Sequence, residues 1–362
     1  MSATTGRLRP AVITLSAALL LISACAKSED GDTGSAGAPA ASAGAQVAQS
    51  AAPNAKTCTL EQFGGQKLDL KTAKVGFSQS EKEANPFRIA ETQSIKDEAA
   101  KIGIPTGNLQ TTNANSQFNK QISDVEQMID SGVQLLVIAP LNSDGWDSVF
   151  AKASAKKVPI ITIDRKINAE SCTDYLTFIG SDFEEQGKRA ADKMAAAMGN
   201  KGSVAILLGS PGNNVTTLRT KGFKDQIAKT APDIKIVFEQ TGQFSREEGQ
   251  KVSEQLLQSN SDINGIYAEN DEMALGAVTA LKGAGKKAGD VKIVTIDGTK
   301  GAVQGIIDGW IYSVIESNPR FGPLAFQTAT KFFNGEPIPE DIIIQDREYD
   351  ESNAKADLNS AY

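Results

Sequence analysis

The chain has no histidine in 362 residues, so the commonest general base and the commonest metal ligand are both missing. Cysteine is nearly as scarce: Cys25, Cys58 and Cys172 stand too far apart for any zinc-binding spacing. No basic block occurs, and a formal net charge of −7 argues against a nucleic-acid partner. No apolar run is long enough to cross a bilayer, the nearest being Ala11 to Ile22. What remains is an ordinary globular composition, 40% hydrophobic, at a length that implies two domains.

The N-terminus is read first because it sets the compartment. Arg7 and Arg9 precede the short apolar run, as in a signal peptide over residues 1–24. The run leads into Ile22-Ser23-Ala24-Cys25, which resembles a bacterial lipobox. That resemblance implies cleavage before Cys25 and a lipid on its thiol, anchoring an exported protein to the outer face of the cytoplasmic membrane. Residues 25–57, rich in Ala, Gly and Ser, have too little apolar matter to bury and are expected to form a flexible tether of roughly 30 Å. In an oxidising exported setting Cys58 and Cys172 favour a disulfide, the alternative being two buried thiols.

The organising stretch is Val158-Pro159-Ile160-Ile161-Thr162-Ile163-Asp164-Arg165. A β-branched apolar run that stops at an acid–base pair reads as a buried parallel strand delivering charge at its carboxyl end, where open α/β sheets bind ligands. The device recurs at Ile263 to Asp271 and at Val291 to Gly298. Strands are expected at Ala73–Ser78, Asn108–Asn113, Gln134–Ala139, Val158–Ile163, Tyr175–Gly180, Ser203–Leu208, Lys235–Glu239, Ile263–Ala268, Val291–Ile296, Trp310–Glu316 and Ile342–Gln345. Helical spacing fills the gaps between them, beginning with Pro86–Lys101, Gln117–Asp130 and Ser143–Lys156. Such alternation predicts an α/β protein of two doubly wound parallel-sheet lobes with a cleft between them.

Four motifs then appear in order: Asn85-Pro86-Phe87, Pro159 to Arg165, Asn270-Asp271-Glu272-Met273-Ala274-Leu275-Gly276-Ala277, and Ile296-Asp297-Gly298-Thr299. Together they resemble the periplasmic sugar-binding proteins of ABC importers, in the ribose- and galactofuranose-binding cluster, over about residues 72–348. The resemblance implies the type I periplasmic binding protein fold, with a three-stranded hinge near Ser181, Ser317 and Arg347. Residues 72–181 with 317–346 would form one lobe, and 182–316 with 347–362 the other. It also implies a ligand set: Phe87 and Phe244 as aromatic walls, Asn85 and Arg88 beside them, Asp164 and Arg165 holding hydroxyls, and Asn270 and Asp297 from the second lobe. Glu83, Thr217, Arg219, Glu316 and Ser317 are further candidates, and Asp271 is expected to cap the helix after it.

The expected function is capture of a neutral monosaccharide, pentose or hexose in pyranose or furanose form, or a sugar alcohol, for delivery to an ABC permease by a monomer without cofactor or metal. A sugar sensor feeding a receptor kinase uses the same parts. A glycosidase would use Asp164 and Asp297 as its two carboxylates. A repressor of this fold is disfavoured, since no helix-turn-helix precedes residue 72.

Overall fold

The computed structural model describes residues 46–47, 56–260 and 262–362. The signal peptide, Cys25 and most of the tether lie outside the described residues. Among those described, no helix is long and apolar enough to cross a membrane.

The chain enters through β1 (Thr57–Cys58) and α1 (Leu60–Phe63), then lays down β2 (Val75–Gln79), α2 (Pro86–Lys101), β3 (Leu109–Asn113), α3 (Phe118–Asp130), β4 (Leu135–Ile138), α4 (Asp147–Lys156), β5 (Ile160–Ile163) and β6 (Thr177–Gly180). It crosses into a second body: α5 (Phe183–Met198), β7 (Lys201–Leu208), α6 (Asn214–Thr230), β8 (Asp233–Thr241), α7 (Arg246–Ser259), β9 (Gly265–Ala268), α8 (Asp271–Gly283), β10 (Lys292–Asp297), α9 (Lys300–Ile307) and β11 (Ser313–Glu316). It returns for α10 (Gly322–Phe333), β12 (Ile338–Pro339) and β13 (Asp341–Ile343), and crosses once more to β14 (Glu348–Tyr349) and α11 (Ala354–Asp357).

The first sheet runs β13-β6-β5-β4-β2-β3, parallel throughout. The second runs β14-β11-β10-β9-β7-β8, parallel except for β14. Strands β2, β4, β5, β6 and β9 are buried at every position, as a sheet covered by helices on both faces requires. In the first lobe α2 and α10 close one face, bringing Ile95, Ala99, Phe326 and Phe332 onto Val75, Val137 and Ile161. In the second, α5 and α6 pack together against the sheet, with Phe223 stacked on Tyr267 at 4.1 Å and 7°. Their contact depends on missing side chains: a Cβ on Gly187 would sit 2.3 Å from the Arg219 carbonyl oxygen, and one on Gly222 2.1 Å from that of Glu184.

Each sheet reverses its strand order, β2 lying between β3 and β4, and β7 between β8 and β9. Loops leaving strands on either side of such a reversal diverge and open a crevice. The crossing segments are stitched together. Ser181 Oγ donates to Asp346 Oδ1 at 3.1 Å, Gln186 Nε2 to Asp346 Oδ2 at 2.8 Å, and Ser317 N to the Asp297 carbonyl at 2.7 Å. Arg347 grips Glu316 with Nε and Nη2 at 3.1 and 2.8 Å.

A disulfide joins Cys58 to Cys172. Cys58 lies in the ribbon that β1 forms with β12, an element that two-residue strands leave no periodicity to predict. The expected helix from Ser143 starts only at Asp147, because Gly145 takes a positive φ of 91°. The expected strand from Trp310 starts at Ser313, after Gly309 ends the preceding helix at φ 76°.

Candidate functional site

The facing strand ends enclose a narrow pocket lined mostly by polar and charged side chains. From the first lobe, Asn85, Phe87, Arg88, Asp164 and Arg165 line it, and from the second Phe244, Asn270 and Asp297. Glu81, Val215 and Arg219 complete the wall.

Asn85 is the N-cap of α2: its Oδ1 accepts from Phe87 N at 2.9 Å, and Pro86 follows with its φ already helical. That cap fixes Phe87 and Arg88 on the first turn, where both enter the cavity. Arg88 is 4% exposed and reaches three carboxylates: Glu81 at 3.0 Å, Glu91 at 2.9 Å and Asp164 at 2.7 Å. Asp164 follows β5 at φ 62°, a left-handed turn that a short polar side chain tolerates. Arg165 donates from Nη2 to Glu81 at 2.9 Å and from Nη1 to the carbonyls of Pro140 and Leu141 at 3.4 and 3.3 Å. Its Nε is buried without an acceptor and is a donor available to a ligand.

On the second lobe, Asn270 caps α8 through Oδ1 to Met273 N at 3.0 Å, and its Nδ2 donates to the Phe244 carbonyl at 3.2 Å. One amide thus starts a helix and pins the turn that holds the Phe244 ring, whose φ is 54°. Asp271 does not cap that helix. Its Oδ2 accepts from Gly298 N, Thr299 N and Thr299 Oγ1 at 2.7–2.9 Å, securing the turn where Asp297 sits at φ 143° and Gly298 at φ 101°. Backbone this strained persists only where its surroundings fix it, and here the surroundings are Asp271. Arg219 Nη2 stands 3.5 Å from Asp297 Oδ1, while its Nε donates to Gln186 at 2.9 Å and its Nη1 to the Glu269 carbonyl.

Four further candidates stand elsewhere. Glu83 is exposed, and the loop presents Glu81 in its place. Thr217 points out from α6, its hydroxyl bonded to the Asn213 carbonyl, because Arg219 two residues on occupies the inward face. Glu316 is spent on Arg347, and Ser317 faces Ser181 at 3.4 Å in the crossing segments.

Three carboxylates and three guanidiniums therefore ring the cavity: Glu81, Asp164 and Asp297 against Arg88, Arg165 and Arg219. Burial would raise the Glu81 carboxyl, but Arg165 and Arg88 outweigh it and hold it at about 2. Glu91, behind Arg88, is pushed by burial and the Asp164 charge up to about 7. Burial, with Asp271 and Asp164, drives Asp297 well above the usual carboxylate range against the pull of Arg219. Such a ring offers acceptors and fixed donors in alternation, flanked by two aromatic faces.

The chain matches the periplasmic binding protein domain over residues 75–337 and belongs to that family, whose members bind solutes rather than transform them. It is 33% identical to the galactofuranose-binding protein of Escherichia coli K12 over 275 residues, 75% of this chain and 85% of that one. A Mycobacterium smegmatis structure in complex with β-D-fucofuranose is 36% identical, with TM-score 0.74 over 78% of this chain and 93% of that one. The arabinose ABC transporter component of Shewanella sp. ANA-3, bound to α- and β-L-arabinofuranose, is 32% identical, with TM-score 0.75 over 78% and 94%.

Proposed function

We propose that this protein captures a neutral monosaccharide between its lobes and delivers it to an ABC permease. The observation that carries the reading is the interleaved ring of acids and arginines around the pocket between the strand ends. A carboxylate accepts two hydroxyl protons and a guanidinium donates in a plane, so a polyol saturates both, while Phe87 and Phe244 offer faces to its C–H groups. The three relatives above are named for, or bound to, furanoses, which supports a furanose ligand here. Asp164 and Asp297 are hydroxyl acceptors in this reading, and Asn85 and Asn270 offer what their capping bonds leave free. Rotation about the three crossing segments closes the cleft and expels water. The protein works as a monomer, held outside the cytoplasmic membrane by lipid on Cys25.

A thermal-shift screen of monosaccharides and alditols tests the reading, because a ligand stabilises only the folded state it binds. One neutral sugar is expected to raise the melting temperature by several degrees and to give one-to-one calorimetric binding. No shift with any of them would overturn it.

A further inference from the structure

Glu81 is missed by every sequence motif, yet its two oxygens are divided between the two arginines of the first lobe. Oε2 accepts from Arg88 Nε at 3.0 Å and Oε1 from Arg165 Nη2 at 2.9 Å. The backbone that carries it is fixed, since Asn113 Nδ2 donates to the Glu81 carbonyl at 2.8 Å and Ser116 N to that of Ser80 at 3.0 Å. The two arginines depend on Glu81 unequally. Arg88 has two other carboxylates, Glu91 and Asp164, each within 3 Å. Arg165, 1% exposed, otherwise has two carbonyls at 3.3–3.4 Å, the Asp164 carboxylate at 3.7 Å and the Phe244 ring at 5.8 Å.

A buried arginine fork lining a ligand pocket is the geometry that recognises a carboxylate or phosphate. In this protein the fork already holds one. Resting on the monosaccharide reading above, we propose that Glu81 is a specificity-determining residue, a built-in carboxylate that occupies the Arg165 fork and closes the site to sugar acids and sugar phosphates. With Glu81 present an incoming anion meets an arginine already paired with a carboxylate. Without it that negative charge is gone, and Arg165 presents its Nη2 donor to the ligand. Glu81 thus sets the charge class of the ligand, while Asp164, Asn270 and Asp297 read its hydroxyls.

The test measures dissociation constants for the best neutral sugar and its uronic acid on wild type, Glu81→Ala and Glu81→Gln. Wild type is expected to prefer the neutral sugar at least tenfold. In Glu81→Ala, which leaves room for a ligand carboxylate, the ratio of the two constants is expected to move at least tenfold toward the acid. Glu81→Gln, which keeps the volume and drops the charge, is expected to move it the same way by less. A ratio within threefold of wild type in Glu81→Ala, or loss of both ligands from both variants, overturns the proposal, because Glu81 would then only hold the site together. Wild type that binds uronic acid better overturns the charge argument and spares the monosaccharide reading. Wild type that binds neither removes both.

Discussion

Gln186 holds Arg219 in the pocket and Asp346 in the hinge with one side chain: its Oε1 accepts from Arg219 Nε at 2.9 Å, and its Nε2 donates to Asp346 Oδ2 at 2.8 Å. The pocket wall and the third crossing segment therefore share an amide that touches no ligand. Gln186→Ala leaves the Arg219 fork unaimed and two buried polar groups without a partner, at about 1–3 kcal/mol. Sugar affinity is expected to fall about tenfold or more, measured by calorimetry on folded protein. Unchanged affinity would mean that the Glu269 carbonyl and Asp297 position Arg219 unaided.

The buried carboxyls give stability a definite pH course. Burial raises Asp346, Glu91, Glu269 and Asp271 to about 7. Between the ordinary carboxylate range and pH 7 the folded chain holds protons that the unfolded chain releases, so stability falls as pH rises through that window. Glu81, held at about 2, acts oppositely and loses its contribution as pH falls from about 4.5 toward 2. The ligand-free melting temperature is expected to peak near pH 5 and decline toward pH 8, with a shallower decline in Asp346→Asn. A melting temperature that climbs steadily from pH 5 to 8 would refute this.

Asp164 combines a proposed ligand role with a left-handed backbone turn. Asp164→Ala leaves Arg88 short of a buried partner at 2.7 Å, and it puts alanine at φ 62°. Affinity for the neutral sugar is expected to drop at least a hundredfold, about 2.7 kcal/mol. Asp164→Asn, which tolerates the turn and keeps one acceptor, is expected to retain part of it. Wild-type affinity in Asp164→Asn would assign the loss to the turn alone, and equal losses in the two variants would assign it to the carboxylate.

The Cys58–Cys172 bridge spans a sequence separation of 114 residues. The chain-entropy model gives ~4–5 kcal/mol for such a loop, an upper estimate. Reduction is expected to lower the melting temperature while leaving sugar affinity within twofold, since the bridge lies within one lobe. Two alkylatable thiols in unreduced, denatured protein would dispose of the bridge.

Cys25→Ser is expected to move the protein from the membrane fraction to the soluble fraction with ligand binding unchanged. The motive is the lipobox-like Ile22-Ser23-Ala24-Cys25 after a short apolar run. A variant that stays with the membrane through detergent-free washing would argue for another anchor.

The fold was legible because most strands of the two sheets are short and apolar and are followed by a helical period. The ends of Ile160–Ile163, Gly265–Ala268 and Lys292–Asp297 carried their polar residues visibly. Other features had no local signal. β1, β12 and β14 are two residues each, too short for alternation, and form only through distant partners. Glu81 and Glu83 flank one lysine in a polar loop, and distant partners (Asn113 on the Glu81 carbonyl, Arg88 and Arg165 on its carboxylate) turn Glu81 inward. Arg219 rather than Thr217 faces the pocket through the angle of α6, set by the close approach at Gly187 and Gly222. Asp271 reads as a cap from its neighbours, and its real partners, Gly298 and Thr299, are 27 and 28 residues away.

The N-terminal segment meets the body at Cys58 with Cys172, at Cys58 with Ile338, and at Val47 with Ile344, always in the lobe of the first sheet. A pull on that leash is therefore borne by one lobe and exerts no torque across the three crossings. The lobe of the second sheet stays unloaded, free to swing whatever holds the other end. If the proposed lipid on Cys25 moors the protein, a tethered copy and a released one are expected to open and shut alike.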